Sequence, residues 1–284
     1  MSDDHEPVAL VTGASRGIGK AVAIALAEAG YKVAITARTQ KDGEAREHSS
    51  TVKASDTSPL PGSLAQTADA IKATGRDVLV VPADLLDLAS VGAAVATVLE
   101  RWGRIDVVVN NGRYVGPGHM DRFLDTPIQL IEQHITANAI APLHILQLAL
   151  PSMLERGSGT VISITSGAGR ADPPAPAGEG GWGMGYAVSK GAIHRVLGVI
   201  AVEHPNSGLR FFNVQPGGVA TERIKADMAR FGFDGEGWAP PELIGAVVVW
   251  LATSDEAAEL PVEIEAQDLS RERDLYAAWT QPWS

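Results

Sequence analysis

The sequence predicts an α/β fold, a doubly wound parallel sheet of about seven strands with helices on both faces. Three observations support this prediction. Short apolar runs recur along the 284-residue chain, and each is continuous, as expected for a strand that is covered on both faces. Longer segments with helical periodicity separate these runs. A glycine-rich turn follows the first apolar run, where a parallel α/β sheet commonly leads into its first helix.

The elements alternate along the chain from strand to helix and back. The apolar runs predict strands at residues 8–11, 32–37, 78–81, 107–109, 160–164 and 210–214, with a weaker one at 262–264. The helical patterns occupy residues 17–29, 65–74, 91–102, 143–155, 187–203 and 243–252. Gly30 is placed to end the first helix, and Ser63 with Gln66 forms a capping box at the start of the second. No internal repeat or domain boundary interrupts the pattern, so residues 1–284 are predicted to form one domain.

Four segments depart from this alternation. Residues 39–62 are polar and rich in Ser, Thr, Lys and Asp, which predicts a long, mobile loop inserted after the second strand. Residues 167–185 are crowded with Gly, Pro and Ala, and residues 222–241 mix charged with large apolar side chains. Because long irregular segments in a compact domain are often functional, we interpret these two as an active-site loop and a substrate lid. Residues 266–284 are interpreted as a C-terminal tail.

The composition excludes several function classes. Acidic residues outnumber basic ones by 34 to 23, giving a net charge of −11, whereas a nucleic-acid-binding protein needs a basic surface. The chain has no cysteine, so disulfides, thiolate metal sites and cysteine nucleophiles are ruled out, and the histidines show no metal-ligand spacing. The acidic N-terminus does not resemble a signal peptide, and the apolar runs are shorter than a membrane span. We therefore expect a cytoplasmic protein with no metal, no nucleic-acid partner and no membrane contact.

The turn after the first strand, residues 12–19, has the sequence Thr-Gly-Ala-Ser-Arg-Gly-Ile-Gly. Its glycines, Gly13, Gly17 and Gly19, allow a tight turn, close approach of the backbone to a pyrophosphate, and packing of the helix on the strand. The following helix offers unpaired N–H groups and the positive end of its dipole. Glycine turns are also common as purely structural features, but this position between an apolar strand and a helix predicts nucleotide binding.

A second motif, Tyr186-Ala-Val-Ser-Lys190, opens a helix. Residues four apart lie on one helical face, so the phenol of Tyr186 and the ammonium group of Lys190 can point into the same cleft. A free tyrosine is a poor base at neutral pH, but a neighbouring cation stabilises the phenolate. Such a tyrosine can give a proton to a carbonyl oxygen during reduction, or take one from an alcohol during oxidation.

Together the two motifs resemble the classical short-chain dehydrogenase/reductase (SDR) family, in which the glycine spacing is Gly-x-x-x-Gly-x-Gly after a threonine. The resemblance covers nearly the whole chain and implies a Rossmann-type fold that binds NAD(P). It implies that Tyr186 and Lys190 are catalytic and that Lys190 also holds the nicotinamide ribose. Ser166 matches the serine that hydrogen-bonds the substrate oxygen in the family, although Ser163 and Thr165 compete for that role.

The resemblance implies further site residues. Asn138 matches the position whose backbone holds a water that relays protons between the lysine and solvent. A Pro-Gly loop after the sixth strand would hold the nicotinamide carboxamide. The cofactor site implied by the family comprises Gly13, Ser15, Arg16, Gly17, Ile18, Gly19, Arg38, Asp84, Leu85, Asn110, Gly112, Tyr186, Lys190, Pro216, Gly217, Val219 and Thr221. Asp84 matches an acid that contacts adenine, and it would serve equally well as the N-cap of a turn.

Two arginines bear on the choice of cofactor. An acid at the end of the second strand would bind the adenosine ribose of NAD, but this sequence has Arg38 there and Arg16 within the glycine turn. Two guanidinium groups suit the 2′-phosphate of NADP, and the resemblance implies that basic residues at these positions mark NADP preference. Both could instead be ordinary surface arginines. We therefore expect NADP(H) to be preferred, with NAD(H) possible.

One motif departs from the family pattern. Residues 110–113 read Asn-Asn-Gly-Arg where the family has Asn-Asn-Ala-Gly, and the first asparagine, Asn110, is expected to brace the central sheet. The change at Gly112 and Arg113 affects the backbone beside the cofactor ribose and could turn a guanidinium group toward the cleft.

Large apolar side chains predict the character of the substrate. Those in the two segments that flank the site are Trp182, Met184, Ile224, Met228, Phe231, Phe233 and Trp238. They indicate a lipophilic ketone, aldehyde or secondary alcohol, or else they pack on the sheet rim or on a neighbouring subunit. The tail residues Tyr276, Trp279 and Trp283 could cap a neighbour's cleft or stay exposed.

From these observations we expect an NADP-dependent oxidoreductase that transfers a hydride between the nicotinamide and a carbonyl compound or secondary alcohol. The alternative is a catalytically silent NADP-binding sensor or scaffold. Such a protein would be expected to lose Tyr186 or Lys190, and both are present. The family commonly forms dimers and tetramers through its long helices, so the resemblance implies a homodimer or homotetramer.

Overall fold

The structure, a computed structural model, describes residues 6–233 and 235–279. The strands of its sheet are β1 (Val8–Thr12), β2 (Lys32–Thr36), β3 (Val78–Val80), β4 (Val107–Asn110), β5 (Gly159–Ile164), β6 (Leu209–Gln215) and β7 (Glu263–Glu265). These seven strands are all parallel, in the order β3-β2-β1-β4-β5-β6-β7, which confirms the predicted fold class. The order reverses between β1 and β4, so a crevice opens at the carboxyl ends of these two strands.

Helices cover both faces of the sheet. They are α1 (Gly17–Glu28), α2 (Leu64–Ala73), α3 (Leu88–Trp102), α4 (Ile128–Ile135), α5 (Ala141–Arg156), α6 (Met184–Glu203), α7 (Glu222–Asp227), α8 (Pro241–Thr253) and α9 (Ala266–Glu272). Ser63 caps α2 by accepting the Gln66 amide, as its capping box predicts. The helix carrying the Tyr-Lys motif begins at Met184, so Tyr186 lies in its first turn rather than at its start.

The central strands β1, β2, β4 and β5 are almost entirely buried on both faces, which explains why they show no alternation of apolar and polar residues. Successive residues of β1 point to opposite sides of the sheet. Ala9 and Val11 belong to a core formed with α1, α2 and α8, whereas Val8 and Leu10 belong to a core formed with α3, α5 and α6. The buried sheet is therefore a rigid platform for the residues at its carboxyl edge.

One helical run extends beyond its prediction. α4, a single π-helical turn at Thr136–Ile140 and α5 follow one another without a break, whereas the sequence pattern predicts a helix only from residue 143. The π turn adds a residue and shifts the apolar periodicity, and Pro142 stands where a new helix would be expected to begin. By length and composition the run could cross a membrane, but 56% of its most apolar window is buried within the protein, as in a core helix.

The inserted loop 39–62 packs against the domain. It has no regular secondary structure, as predicted, but His48, Ser49 and Ser50 at its centre are buried. The Met120 amide donates to the Ser50 carbonyl oxygen at 2.8 Å. The loop therefore lies against the segment that follows β4 and forms part of the fixed structure around the crevice.

The C-terminal third also contains elements that the sequence pattern does not predict. α7 lies within the segment interpreted as a lid, and α9 begins the segment interpreted as a tail. Tyr276 and Trp279 are half-buried against the core formed with α1, α2 and α8, so they do not stay fully exposed, and a contact with a neighbour's cleft stays a prediction. Trp283 lies outside the described residues.

Candidate active site

A cleft with a cavity volume of about 260 Å³ opens at the carboxyl ends of β1, β2 and β4, where the strand order reverses. The glycine turn, the start of α6 and the loop after β6 form its walls. The predicted site residues on these walls are Gly13, Ser15, Arg16, Gly17, Ile18, Gly19, Arg38, Asp84, Leu85, Gly112, Tyr186, Lys190, Pro216 and Thr221. Five others do not reach the described cleft wall: Asn110, Asn138, Ser166, Gly217 and Val219.

The glycine turn is held by very close backbone contacts. A Cβ atom on Gly19 would lie 2.3 Å from the Gly13 carbonyl oxygen, and Gly13 itself has a φ of +68°, which side chains disfavour. Asn111 completes the turn, because its Nδ2 donates to the Thr12 and Gly13 carbonyl oxygens at 2.8 and 3.2 Å. The bracing role was predicted for Asn110, but the side-chain amide of Asn110 is buried with no hydrogen-bond partner among the described residues. The second asparagine therefore does the bracing, and it holds the turn rather than the sheet.

The amino end of α1 binds an anionic group of the protein itself. The Gly17 amide donates to Oε2 of Glu222, the first residue of α7, at 2.9 Å. The free N–H groups and the helix dipole stabilise a carboxylate at this position, and they would stabilise a phosphate in the same way. The turn therefore fits the pyrophosphate of a dinucleotide once Glu222 has released its bond.

Three arginines line the cleft beside the end of β2: Arg16, Arg38 and Arg46. Arg16 does not extend freely toward a ligand, because its Nε and Nη2 donate to the carbonyl oxygens of Pro61 and Gly62, each at 2.8 Å. Burial lowers the pKa of this guanidinium group. Arg16 thus anchors the loop 39–62, which no spacing in the sequence indicates. Arg46, which sequence reasoning missed, also lines the wall; its Nη2 donates to the Arg38 carbonyl oxygen at 3.0 Å and forms an ion pair with Oε2 of Glu44 at 2.7 Å.

Asp84 is placed for both of the roles considered for it, the cap of a turn and a residue of the cofactor cleft. Its Oδ1 accepts the Leu86 amide at 3.0 Å, as the cap of a turn does. The residue also lies on the cleft wall beside Leu85 and Leu86. Its contact with adenine remains a prediction.

The loop after β6 borders the other end of the cleft. Pro216 and Thr221 lie on the wall, while Thr221 also caps α7. Gln267, from α9, donates through Nε2 to the carbonyl oxygens of Pro216 and Gly218 at 2.9 and 3.0 Å. This buried glutamine fixes the loop in place, a role that no local signal in the sequence indicates.

Tyr186 and Lys190 face the cleft from the first turns of α6. Lys190 Nζ lies 5.9 Å from the centroid of the tyrosine ring and donates to the last carbonyl oxygen of β5 at 2.8 Å. The Ser166 side chain is hydrogen-bonded to the Tyr186 phenol. Of the two competing positions, Ser163 is buried within β5, whereas Thr165 lies on the cleft wall. The structure therefore brings the tyrosine, the lysine and the serine together.

The charges around Tyr186 favour its phenolate. Burial would raise the pKa of Tyr186, but the positive charges of Lys190 and Arg113 and the hydrogen bond with Ser166 outweigh burial and lower it. Burial also lowers the pKa of Lys190, an effect that the phenolate opposes and Arg113 reinforces. The phenol can therefore exchange a proton nearer neutral pH than a free tyrosine can.

Asn138 supports the site from the π-helical turn. Its Oδ1 accepts the Tyr114 amide at 2.6 Å, and its Nδ2 donates to the Ser189 hydroxyl at 2.8 Å. Ser189 in turn donates to the Tyr186 carbonyl oxygen at 3.0 Å. The side chain thus ties the segment after β4 to the first turn of α6. This positioning role adds to the backbone role that the resemblance implies, and π turns are frequent at functional sites.

The Asn-Asn-Gly-Arg departure places a cation beside the tyrosine. The Arg113 guanidinium lies on the cleft wall, 5.7 Å from the centroid of the Tyr186 ring, so the predicted turn toward the cleft is confirmed. Its Nη1 donates to the Tyr114 carbonyl oxygen at 3.0 Å and to Nδ1 of His119 at 3.3 Å. The His119 imidazole stacks on the Tyr186 ring with centroids 4.4 Å apart. Sequence reasoning missed His119, since no spacing rule connects it to the Tyr-Lys motif.

The histidines near the site are neutral. Burial first, and then the charges of Arg113 and Arg223, lower the pKa of His119 well below its ordinary value. Burial is also the main cause that lowers the pKa of His134 to about 3. In the part of the chain that the structure describes, no three His, Asp or Glu side chains are grouped to hold a metal ion.

The large apolar side chains expected to form a substrate pocket pack elsewhere. Phe233 and Trp238 contact each other with ring centroids 6.4 Å apart, and Met184 is exposed. The Phe231 carbonyl oxygen accepts a backbone amide from the facing irregular segment at 3.1 Å. None of these side chains, nor that of Trp182, is on the described cleft wall. The alternative that they pack at the rim of the domain fits the structure better.

Comparisons with known proteins find similar oxidoreductases. The family model described as short chain dehydrogenase matches residues 7–59 and 51–230. Oxidoreductase UcpA of Salmonella typhimurium is 33% identical over 213 residues, which cover 75% of this chain and 69% of that protein. An uncharacterized NAD-dependent oxidoreductase of Mycobacterium tuberculosis is 29% identical over 281 residues, covering 91% of this chain and 95% of that protein. The Mus musculus dehydrogenase/reductase SDR family member 7 is 30% identical over 221 residues, 77% of this chain, and the match spans only 57% of its length.

Solved structures show the same likeness. A short-chain type dehydrogenase/reductase from Mycobacterium marinum is 25% identical with a TM-score of 0.74, and the alignment covers 92% of this chain and 94% of that one. A metagenomic short-chain oxidoreductase in complex with NADP is 27% identical with a TM-score of 0.67, and the alignment covers 91% of this chain and 96% of that one. The likeness therefore extends over the whole domain rather than over its nucleotide-binding half alone.

Proposed function

The chain belongs to the short-chain dehydrogenase/reductase family, and we propose that it is an NADP-dependent oxidoreductase that interconverts a carbonyl compound and the corresponding secondary alcohol. The observation that carries this proposal is that Tyr186 and Lys190 face the same cleft as the glycine turn, with Ser166 hydrogen-bonded to the Tyr186 phenol. The turn, with Gly17 at the amino end of α1, would hold the cofactor phosphates. Lys190 and the loop after β6 would hold the nicotinamide end.

The bound nicotinamide supplies or accepts the hydride, and the protein holds the substrate oxygen and moves a proton. During reduction negative charge develops on the carbonyl oxygen, and hydrogen bonds from Ser166 and Tyr186 stabilise it. Tyr186 gives its phenolic proton to that oxygen, while Lys190 and Arg113 stabilise the phenolate that is left. During oxidation the phenolate takes the proton from the alcohol.

Positive charge beside β2 supports a preference for NADP(H). Arg38 and Arg46 line the cleft at the end of this strand, and a guanidinium group suits the 2′-phosphate that distinguishes NADP from NAD. Arg16 would contribute its charge rather than a direct bond, since loop carbonyls hold it. The relatives differ: the metagenomic oxidoreductase carries NADP, whereas the Mycobacterium tuberculosis protein is named NAD-dependent. NAD(H) therefore stays the alternative cofactor.

The substrate and the assembly are part of the same proposal. A lipophilic portion of the substrate would contact Tyr114 and Val115 on the cleft wall, and not the aromatic side chains of the lid.

We further propose a cytoplasmic homodimer or homotetramer. Exposed apolar side chains on the long helices support contact between subunits, and they include Leu148 on α5 and Val199 and Val202 on α6.

Replacing Tyr186 with Phe tests the activity, because it removes the proton donor and keeps the ring. With NADPH and a panel of hydrophobic and polar ketones and aldehydes, we expect the wild type to turn over and the variant to lose about 100- to 10,000-fold in rate. The NADPH affinity of the variant should stay within about twofold, since no phosphate contact is lost. Cofactor binding by the wild type without turnover of any panel member would instead favour the sensor or scaffold.

A further inference from the structure

The reacting centre carries more positive charge than proton transfer by Tyr186 requires. Lys190 already provides the cation beside the phenol. Arg113 adds a second cation next to the same ring, at a position where the family has a glycine. This surplus indicates that a negatively charged group of a ligand binds here.

Arg113 is the cation whose charge is not balanced. Within residues 6–233 and 235–279 no carboxylate forms an ion pair with its guanidinium, and its strongest charge partner is the Tyr186 phenolate. Backbone amides bind the acidic side chains of the cleft wall, which are Glu44, Glu47, Asp84 and Glu222. A half-buried guanidinium without a counter-charge is unfavourable, and an anionic ligand would relieve that cost.

The guanidinium is also held in a fixed orientation. Nη1 donates to the Tyr114 carbonyl oxygen and to His119 Nδ1, at 3.0 and 3.3 Å. Arginine has no acceptor, so the neutral His119 ring must accept this bond, and the ring is itself stacked on Tyr186. No described residue takes a hydrogen bond from Nε or Nη2. That edge of the guanidinium has the geometry that binds a carboxylate with two parallel bonds.

We propose that the substrate is a 2-oxo acid, or the 2-hydroxy acid in the reverse direction, whose carboxylate is bound by Arg113 while its carbonyl oxygen contacts Tyr186 and Ser166. This proposal rests on the oxidoreductase function proposed above. A 2-oxo acid carries both groups on adjacent carbons, and the Arg113 guanidinium lies 5.7 Å from the centroid of the Tyr186 ring, so one small ligand can reach both side chains. Reduction moves a hydride from NADPH to the carbonyl carbon and a proton from Tyr186 to the carbonyl oxygen. The products are NADP⁺ and the 2-hydroxy acid, and the carboxylate is unchanged.

A matched pair of substrates tests the proposal. The compounds 2-oxo-4-phenylbutanoate and 4-phenyl-2-butanone share one carbon frame and differ by a carboxylate in place of a methyl group. Both are reduced with NADPH by the full-length wild type and by the variants Arg113→Gln and Arg113→Lys. Arg122→Gln is the control, because Arg122 forms an exposed ion pair with Glu179 and is not on the described cleft wall.

We expect the wild type to prefer the oxo acid by at least about 10-fold in kcat/KM. Arg113→Gln should lower kcat/KM for both compounds, because both lose a charge that stabilises the phenolate, but the loss should be at least about 10-fold larger for the oxo acid, which also loses a charged, two-bond contact. Arg113→Lys should lie between these values, since it keeps the charge and loses the planar fork. Arg122→Gln should match the wild type with both compounds.

Three results would overturn the proposal while leaving the oxidoreductase function intact. The first is that the wild type reduces the ketone in preference to the acid. The second is that Arg113→Gln lowers kcat/KM for both compounds equally and moves the pH profile to higher pH, which would limit Arg113 to stabilising the phenolate. The third is that Arg113→Gln weakens NADPH binding by the same factor as the rates, which would make Arg113 a cofactor contact.

A binding measurement separates the two proposals. Calorimetric titration of the oxo acid into the Tyr186→Phe variant loaded with NADPH, with and without Arg113→Gln, detects the carboxylate site without turnover. Binding that depends on Arg113, combined with an inactive wild type, would support the carboxylate site and refute the oxidoreductase function. Binding that is the same in both variants would refute the carboxylate site.

Discussion

We expect Glu222 to compete with the cofactor for the amino end of α1, so its replacement should tighten NADPH binding. Its Oε2 accepts the Gly17 amide at 2.9 Å, and Gly17 belongs to the turn expected to hold the pyrophosphate. Two unit charges 4 Å apart repel each other by about 4 kcal/mol at an effective dielectric constant of 20. The carboxylate must therefore leave the turn when the pyrophosphate arrives.

The size of the effect follows from the bond that is broken. A hydrogen bond to a charged group contributes about 1.5–3 kcal/mol, and a negative charge at a helix amino terminus gains about 0.3–1 kcal/mol. The neutral amide of a Glu222→Gln variant keeps the shape of the side chain and loses about half of this stabilisation. NADPH should therefore bind the variant more tightly by about 1–2 kcal/mol, or roughly 5- to 30-fold.

The assay is a fluorescence titration of NADPH at low and high ionic strength. Glu28→Gln is the matched control, because it removes one negative charge from the opposite end of the same helix. The advantage of Glu222→Gln should shrink at high salt, since screening weakens the repulsion that the variant removes. A Glu222→Gln variant that binds NADPH no more tightly than the wild type, or less tightly, would show that the carboxylate does not stand in the phosphate position.

Three further predictions concern the cofactor, the phenol and a buried histidine. Arg38→Ala should weaken NADPH binding about 10-fold and leave NADH binding nearly unchanged in parallel titrations, whereas equal losses would contradict a 2′-phosphate contact. Burial raises the pKa of Tyr186, but the charges of Lys190 and Arg113 outweigh it; alcohol oxidation should therefore reach its plateau below the pKa of about 10 of free tyrosine. A plateau above that value would refute this balance. Burial lowers the pKa of His134 to about 3, so the unfolded chain binds more protons between about pH 6.5 and 3, and stability should fall as the pH decreases through that range. In denaturant titrations, the free energy of unfolding of a His134→Gln variant should change less between about pH 6.5 and 3 than that of the wild type. An equal change in both would argue against His134 as its cause.

The strands and most helices could be predicted because each has a local signal. The continuous apolar runs give the strand positions, and the Ser63–Gln66 capping box gives the start of α2. The π-helical turn could not be predicted in this way. It contains Asn138, whose side chain bonds Tyr114 and Ser189, 24 and 51 residues away in the sequence. Contacts of this kind appear only when the chain has folded.

The same distinction applies to the candidate site: residues with a local sequence signal could be predicted, and residues that meet only in the folded chain could not. The glycine turn and the Tyr-Lys spacing are local, and Arg113 is visible in the sequence as a departure from a family motif. Glu222 reaches Gly17 across 205 residues, and no spacing in the sequence relates the two. The position of the aromatic side chains of the lid could not be predicted for a related reason. Composition shows that large apolar side chains are present, but it does not show whether they face the cleft or each other.

The two roles assigned to Arg113 are coupled, and this coupling has a measurable consequence. In the free enzyme Arg113 helps to lower the pKa of Tyr186. A substrate carboxylate bound to Arg113 would offset that charge, so the pKa of Tyr186 should rise again in the complex, where a proton donor is needed for reduction. Because kcat/KM reports the pKa of the free enzyme and kcat that of the complex, their inflections should separate for the oxo acid and coincide for the neutral ketone. Coincident inflections for both substrates would mean that the carboxylate does not meet Arg113.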